Sequence, residues 1–254
     1  MAIDIELSGR IAIVTGAGRG IGRAVALKLA KAGADVCATA RSLEEIEQTA
    51  RMVRETGRRA LTVAGDATRS AVAAEVVART MADLGGGLHI LVNNAGIELP
   101  KPLIETTEDE YNRVMDTNVK SMVLFTQATG PHLIAQRFGR IVNMASVGAF
   151  VAAPNQAIYH ASKAAFAHLT RATAIEWARH GITVNAVAPG WVRTDLIRHL
   201  LDDEAMLSAY TKAIPMRRIA EPEEIGPLVA FLCSDLAGYM TGSVVVVDGG
   251  LMIP

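Results

Sequence analysis

Short apolar runs alternate along the chain with longer stretches in which apolar positions recur every three or four residues. The short runs fall at 10–15, 35–40, 60–64, 89–92, 140–144, 183–187 and 243–247. They show little period-2 alternation, which predicts strands buried on both faces. The amphipathic stretches at 20–31, 42–55, 69–84, 107–136, 156–179 and 222–233 predict helices. Strand–helix alternation over residues 1–254 predicts one doubly wound α/β domain with a parallel sheet. No repeat, like-charge block or Pro/Gly/Ser-rich linker divides it. Only the stretch 191–219 breaks the rhythm, with Trp, Met, Leu and Tyr among scattered charges. An insertion after a strand's carboxyl end reads as a substrate lid, against the alternative of a packed connector or subunit contact.

Composition narrows the partners. Lys plus Arg number 25 and Asp plus Glu 26, a net charge of -1 that argues against a nucleic-acid binder. The residues are 50% hydrophobic and 20% charged, as expected of a soluble globular domain. Cys37 and Cys233 are far apart and show neither C-x-x-C nor zinc spacing, so they read as reduced, buried thiols and no metal is expected. The acidic start lacks a basic n-region, and no apolar run approaches the ~20 residues of a membrane helix. A cytoplasmic protein that binds a small molecule is the expectation.

The first strand runs into Thr15-Gly16-Ala17-Gly18-Arg19-Gly20-Ile21-Gly22. The spacing fails G-x-G-x-x-G and fits G-x-x-x-G-x-G. Glycines here let backbone approach a ligand, and the next helix offers its free N–H groups to a pyrophosphate. An NAD site usually carries an acid at the end of the second strand. Here that strand ends in Thr39-Ala40-Arg41-Ser42, without a carboxylate at 38–42. Arg19 and Arg41 therefore read as a guanidinium pair for a 2′-phosphate, which favours NADP(H). Asp66, followed by Ala67, reads as an acceptor for an adenine amino group or as a helix cap for the segment starting near Thr68.

Tyr159 and Lys163 share a helix face at i, i+4. A lysine charge about 4 Å from a phenol is worth roughly 4 kcal/mol at an effective dielectric of 20, or about three pKa units. The pair is expected to make Tyr159 a usable proton donor. Ser146 ends the strand at 140–144, where its hydroxyl can meet a substrate carbonyl. Asn93-Asn94-Ala95-Gly96 closes another strand, with small residues that admit a ribose. Asn118 lies inside a helical pattern that does not favour it, so bonding to backbone or water there could kink the helix. His160 points off the Tyr159–Lys163 face and reads as structural or interfacial. Val147, Gly148, Ala149, Val151, Ala152, Ala153, Trp191, Leu196 and Met206 are candidate pocket residues, with Glu98 the one acid placed to enter.

Together these motifs resemble the short-chain dehydrogenase/reductase family over essentially the whole chain. The carriers are Thr15-Gly16-x-x-x-Gly20-Ile21-Gly22, Asp66, Asn93-Asn94-Ala95-Gly96, Asn118, Ser146, Tyr159-x-x-x-Lys163, and Pro189-Gly190 followed by Thr194. The nearest resemblances are to 3-oxoacyl-carrier-protein reductases, gluconate-type dehydrogenases and tropinone-like reductases. The resemblance implies a Rossmann-type domain with a seven-stranded parallel sheet and an Asn118–Ser146–Tyr159–Lys163 tetrad. Tyr159 would be the general acid/base, Lys163 would bind the nicotinamide ribose and lower the Tyr159 pKa, and Ser146 would polarise the carbonyl. Asn118 would support a proton-relay water, while Pro189, Gly190, Val192 and Thr194 would flank the carboxamide. A homotetramer is implied through helices 107–136 and 156–179 and the last strand. The function expected is reduction of a ketone or oxoacyl carbonyl, or its reverse. An NAD(H)-dependent sugar or hydroxy-acid dehydrogenase and a non-catalytic dinucleotide binder are the alternatives.

Overall fold

A computed structural model describes residues 4–253, apart from the His199 side chain. The elements in chain order are β1 (Ile11–Thr15), α1 (Gly20–Lys31), β2 (Asp35–Ala40), α2 (Leu43–Glu55), β3 (Ala60–Ala64), α3 (Ser70–Leu84), β4 (Ile90–Asn93), α4 (Glu108–Met115), α5 (Ser121–Gln136), β5 (Gly139–Met144), α6 (Ala157–Trp177), β6 (Ile182–Pro189), α7 (Arg198–Leu201), α8 (Glu204–Ala213), α9 (Gly226–Cys233) and β7 (Val244–Val247). The strands form one sheet in the order β3-β2-β1-β4-β5-β6-β7, and every pairing is parallel.

Both faces of the central strands are apolar because helices cover both. Ala12 and Val14 of β1 join Val25, Leu29, Val229 and Leu232 in one layer. Ile11 and Ile13, alternating with them, join Val76, Phe125 and Leu133 in the other. β1, β5 and β6 are buried along their whole length, whereas the edge strands β3 and β7 are half-covered. Cys37 and Cys233 are buried free thiols, and burial pushes both up to about 12.

The strand positions agree with the sequence pattern to within a residue or two, and β6 extends to Pro189. Three helices differ. The stretch 107–136 is two α-helices joined by a π turn at Asp116–Lys120, because Asn118 is drawn inward. The stretch 156–179 ends in a tight 3₁₀ turn at Ala178–His180, closed by left-handed Gly181. The stretch 222–233 opens with a 3₁₀ turn at Pro222–Glu224, and Pro227 sits in the first turn of α9. A proline has no N–H to give, so the two prolines occupy helix starts, where none is needed.

Residues 191–219 form the 3₁₀ turn Asp195–Ile197, then α7 and α8. They pack around their own small cluster of Ile197, Leu200, Ile214 and Ile219, with Trp191 edge-on to Tyr210 at 4.6 Å. Large apolar side chains remain exposed on elements expected to pair in an oligomer: Tyr111 on α4, Ile175 on α6 and Val246 on β7.

Candidate active site

β1 and β4 are neighbours, yet the chain leaves β1 toward β2 and continues from β4 toward β5. A crevice opens where the direction reverses, outside the carboxyl ends of the strands. Here it is a cleft of about 790 Å3 lined by the glycine turn, the ends of β2 and β3, the Asn94–Glu98 segment and Thr194–Leu196. Gly16, Arg19, Gly20, Ile21, Gly22, Arg41, Ser42, Asp66, Ala67, Asn94, Ala95, Gly96 and Thr194 all line it.

Thr15, at the end of β1, ties the turn to β4. Its hydroxyl accepts from the N–H groups of Asn94 at 2.9 Å and Ala95 at 3.1 Å. The Asn94 side-chain amide donates to the carbonyls of Thr15 and Gly16 at 3.0 and 3.1 Å. Asn94 therefore braces the glycine turn with its side chain, a role the ribose reading did not anticipate. Gly16 and Gly20 have φ of 63° and 53°, the left-handed region that glycine enters freely. A Cβ on Gly22 would collide with the Gly16 carbonyl oxygen. No side chain caps α1, whose N-cap residue is Arg19, and its first turn holds no acid. An uncapped helix start facing a glycine-walled cleft suits a pyrophosphate. By contrast, Ser42 caps α2 by accepting from Glu45 N–H, and so already has a partner.

The two arginines are not assembled as a clamp. Arg41 is exposed at the cleft margin. Arg19 pairs with Asp195 at 3.1 Å and Glu45 at 3.5 Å. Both acids line the cleft and were not anticipated from sequence. Glu45 lies one turn into α2, beyond the strand-end window where an acid would be sought. Asp195 comes from a stretch with no local signature. Asp66 accepts from the Thr68 N–H and hydroxyl, both at 2.9 Å, and these bonds hold its carboxyl below the usual range. It thus closes a turn ahead of α3 and is not that helix's N-cap.

At the other end of the cleft the polar groups are buried. Asn118 is fully buried in the π turn. Its amide nitrogen donates to Ile97 O at 2.9 Å and Ser162 Oγ at 2.8 Å, and its oxygen accepts from Ile97 N–H at 2.8 Å. The helix kink anticipated from sequence is this π turn, and the backbone of Ile97 is what it serves. Lys163 Nζ donates to Met144 O at 2.7 Å and lies 3.6 Å from where a Cβ on Gly96 would sit. Ser146 Oγ accepts from Gly148 N–H at 3.1 Å and stands near enough to the Tyr159 hydroxyl to favour its ionised form. Ser146 is thus both a turn cap and a neighbour of Tyr159. His160 packs against Gly148 and its ring centroid lies 5.9 Å from that of Tyr159, a packing role.

The expected acidification of Tyr159 by Lys163 is not what the protein's own groups produce. Burial pushes the phenol up to about 12; the Ser146 hydroxyl lowers it and the Glu98 charge raises it further. Burial also pulls the Lys163 ammonium down to about 8. Lys163 Nζ sits 5.7 Å from the Tyr159 ring centroid and spends a hydrogen bond on Met144. The 4 Å charge–phenol contact assumed from helical spacing is replaced by desolvation of both groups. Glu98 is half-buried and pushed up to about 7 by burial.

Pro189 ends β6, and a Cβ on Gly190 would stand 2.9 Å from Asp248, so β7 presses close there. Val192 bridges to Ala220 and its side chain is 5% exposed within a core cluster, so only its backbone could reach a ligand. Thr194 Cγ2 would lie 3.1 Å from a Cβ on Gly20, which brings the segment after β6 back to the glycine turn. Among the described residues no cluster of His, Cys, Asp and Glu suits a metal, and no helix is long and apolar enough to cross a membrane.

A Rossmann-type sheet with its cleft at the switch point defines the class of protein. The profile of the family described as Enoyl-(Acyl carrier protein) reductase matches residues 16–252. A tropinone reductase homolog of Arabidopsis thaliana is 38% identical over 98% of this chain and 94% of its own length. A short-chain type dehydrogenase/reductase from Mycobacterium marinum superposes with a TM-score of 0.93 at 37% identity, covering 98% of both chains. A gluconate 5-dehydrogenase from Burkholderia cenocepacia, solved in complex with NADP and tartrate, gives 0.94 at 36% identity over 98% of both chains. The chain belongs to the short-chain dehydrogenase/reductase family, oxidoreductases that act on alcohol and carbonyl groups.

Proposed function

We propose that the protein uses NADP(H) to interconvert a ketone and a secondary alcohol, with Tyr159 as the general acid of reduction and the general base of oxidation. The observation that carries this reading is the meeting of Ser146, Tyr159 and Lys163 beside Gly96, at one end of a glycine-walled cleft. The cradle fits a dinucleotide: Gly22 has no room for a side chain, and the start of α1 is uncapped. Arg19 and Arg41 at the other end, and the absence of an acid at 38–42, favour a 2′-phosphate. The NADP complex of the gluconate 5-dehydrogenase supports the same choice.

When bound, the dinucleotide would supply the hydride. The chain supplies the proton and the positions. With its phenol near 12, Tyr159 holds its proton at neutral pH and can donate it to a carbonyl oxygen. Ser146 Oγ receives the Gly148 N–H, which leaves its own O–H to point at Tyr159 or at that oxygen. Hydride on the carbonyl carbon and the Tyr159 proton on its oxygen give the alcohol; the proton is regained from solvent. Lys163 stays within reach of the Gly96 turn and leaves its Met144 bond for a ribose hydroxyl. Asn118 acts through Ile97, fixing the segment that carries Gly96.

A panel of ketones offered with NADPH and with NADH tests the reading. Turnover should be faster with NADPH. Tyr159→Phe should keep NADPH affinity and lose turnover by about 10²–10⁴-fold. Equal turnover in that variant would remove Tyr159 from the chemistry. Absence of turnover with either cofactor in the wild type would leave a dinucleotide binder.

A further inference from the structure

α6 follows a run of exposed residues, 151–155, and its first turn has neither a side-chain cap nor an acid. Tyr159 lies in that turn, the part of a helix that frays most readily. The first buried residues of α6 are Ser162 and Lys163, and both are tied to other elements. Lys163 Nζ donates to Met144 O in β5 at 2.7 Å. Ser162, 0% exposed, makes its bonds through a single oxygen. Its hydroxyl donates to the Tyr159 carbonyl at 2.6 Å and accepts from Asn118 Nδ2 at 2.8 Å. Asn118 also holds both backbone polar atoms of Ile97, at 2.8 and 2.9 Å. A continuous chain of bonds therefore runs from the backbone beside Gly96, through the π turn, to the backbone of Tyr159.

We infer that Ser162 is a positioning residue: through its hydrogen bonds to Asn118 and to the Tyr159 carbonyl it fixes the first turn of α6, and with it the Tyr159 phenol, against the Asn118-held segment that carries Gly96. This rests on the reading of Tyr159 as the general acid. A serine hydroxyl that bonds back within its own helix is common and needs no partner elsewhere. Here the same oxygen receives an amide proton from the π turn, so it registers one element against the other. Orientation is what is at stake, since a displacement of about 1 Å at a reacting group can cost about 100-fold in rate. Asn118 has two branches. Its bonds to Ile97 do not pass through Ser162, so removing the hydroxyl leaves the cofactor-facing backbone held and loosens the Tyr159 branch alone. Cofactor binding and proton donation should therefore separate.

The test uses the intact enzyme with saturating NADPH and the best ketone of the panel above. Ser162→Ala keeps a strong helix former at the site. NADPH affinity should stay within about threefold of wild type, while kcat per NADPH-binding site should fall about 10- to 100-fold. The solvent deuterium isotope effect on kcat should rise, because proton donation from a displaced Tyr159 becomes slower. Ser162→Cys fills the space with a group that donates and accepts weakly, and it should follow Ser162→Ala in both readings. A purely structural serine would lower the number of NADPH-binding sites and leave kcat per site and the isotope effect unchanged. That outcome, wild-type kinetics in Ser162→Cys, or loss of NADPH binding in both variants would overturn the role of Ser162 and leave the oxidoreductase reading standing. Full turnover in Tyr159→Phe, or no wild-type turnover across the panel, would overturn both.

Discussion

At the nucleotide end of the cleft, the Arg19 side chain is 60% exposed and shared between two carboxylates. At the catalytic end, Asn118 is 0% and Lys163 5% exposed, and their recorded bonds run to backbone carbonyls, a backbone N–H and one serine. The same polar residue types therefore behave differently. Exposed ion pairs are screened and exchange partners at little cost. Buried groups must be satisfied in place. Groups drawn out of water also shift their pKa values, as at Tyr159, Lys163 and Glu98. One end can adapt to a charged ligand; the other is held ready by the fold. Variants that sharpen this contrast should lose most stability at the buried end.

The largest expected loss is at Asn118. Alanine there would strip the Ile97 N–H and carbonyl and the Ser162 hydroxyl of a partner in a space closed to water. Unfolding in urea should show a loss of about 2–4 kcal/mol. A loss below about 1 kcal/mol would mean that water or a neighbour replaces the amide, and the catalytic end would not be the rigid one.

How much of this contrast the sequence carries depends on whether a residue acts locally. The five inner strands were legible because burial on both faces leaves unbroken apolar runs such as Ile11–Thr15. The glycine turn was legible because φ near +60° and close packing select glycine at fixed spacing. Asn118 stood out as an amide in a helix, which led to the kink but not to Ile97, 21 residues away. The partners of Arg19 come from α2 and from the segment after β6, and no local pattern announces a pair that spans the fold. The Tyr159–Lys163 spacing gave the shared face, but not that burial would set the pKa of both groups.

Glu98 gives an intermediate effect with a definite sign. Its ordinary value is 4.5 and burial raises it to about 7, so the folded protein binds the proton more tightly. The stability this contributes is fully present below pH 4.5 and is lost as pH rises through 7. Complete desolvation would make that loss about 3 kcal/mol; solvent at a half-buried carboxyl reduces it to about 1–2 kcal/mol. Lys163, held near 8, changes its protonation above this window. The stability difference between wild type and Glu98→Gln, measured from pH 5 to 7.5, should therefore shrink or reverse toward the variant as pH rises. Parallel curves would place Glu98 in full solvent.

The smallest effect belongs to Asp195, and it probes the exchangeable end. Asp195 pairs with Arg19 at 3.1 Å and also bonds Arg198, and these contacts keep its carboxyl below the usual range. If the pair exchanges freely, Asp195→Asn frees Arg19 for a 2′-phosphate. Stability should change by less than about 1 kcal/mol, and NADPH should bind about 1.5- to 5-fold tighter at low salt. The gain should shrink at high salt and vanish when Arg19→Ala is added, since the coupling runs through that guanidinium. Weaker NADPH binding in Asp195→Asn would reverse the interpretation. Asp195 would then be holding Arg19 where the phosphate needs it, and the nucleotide end would be as preorganised as the catalytic one.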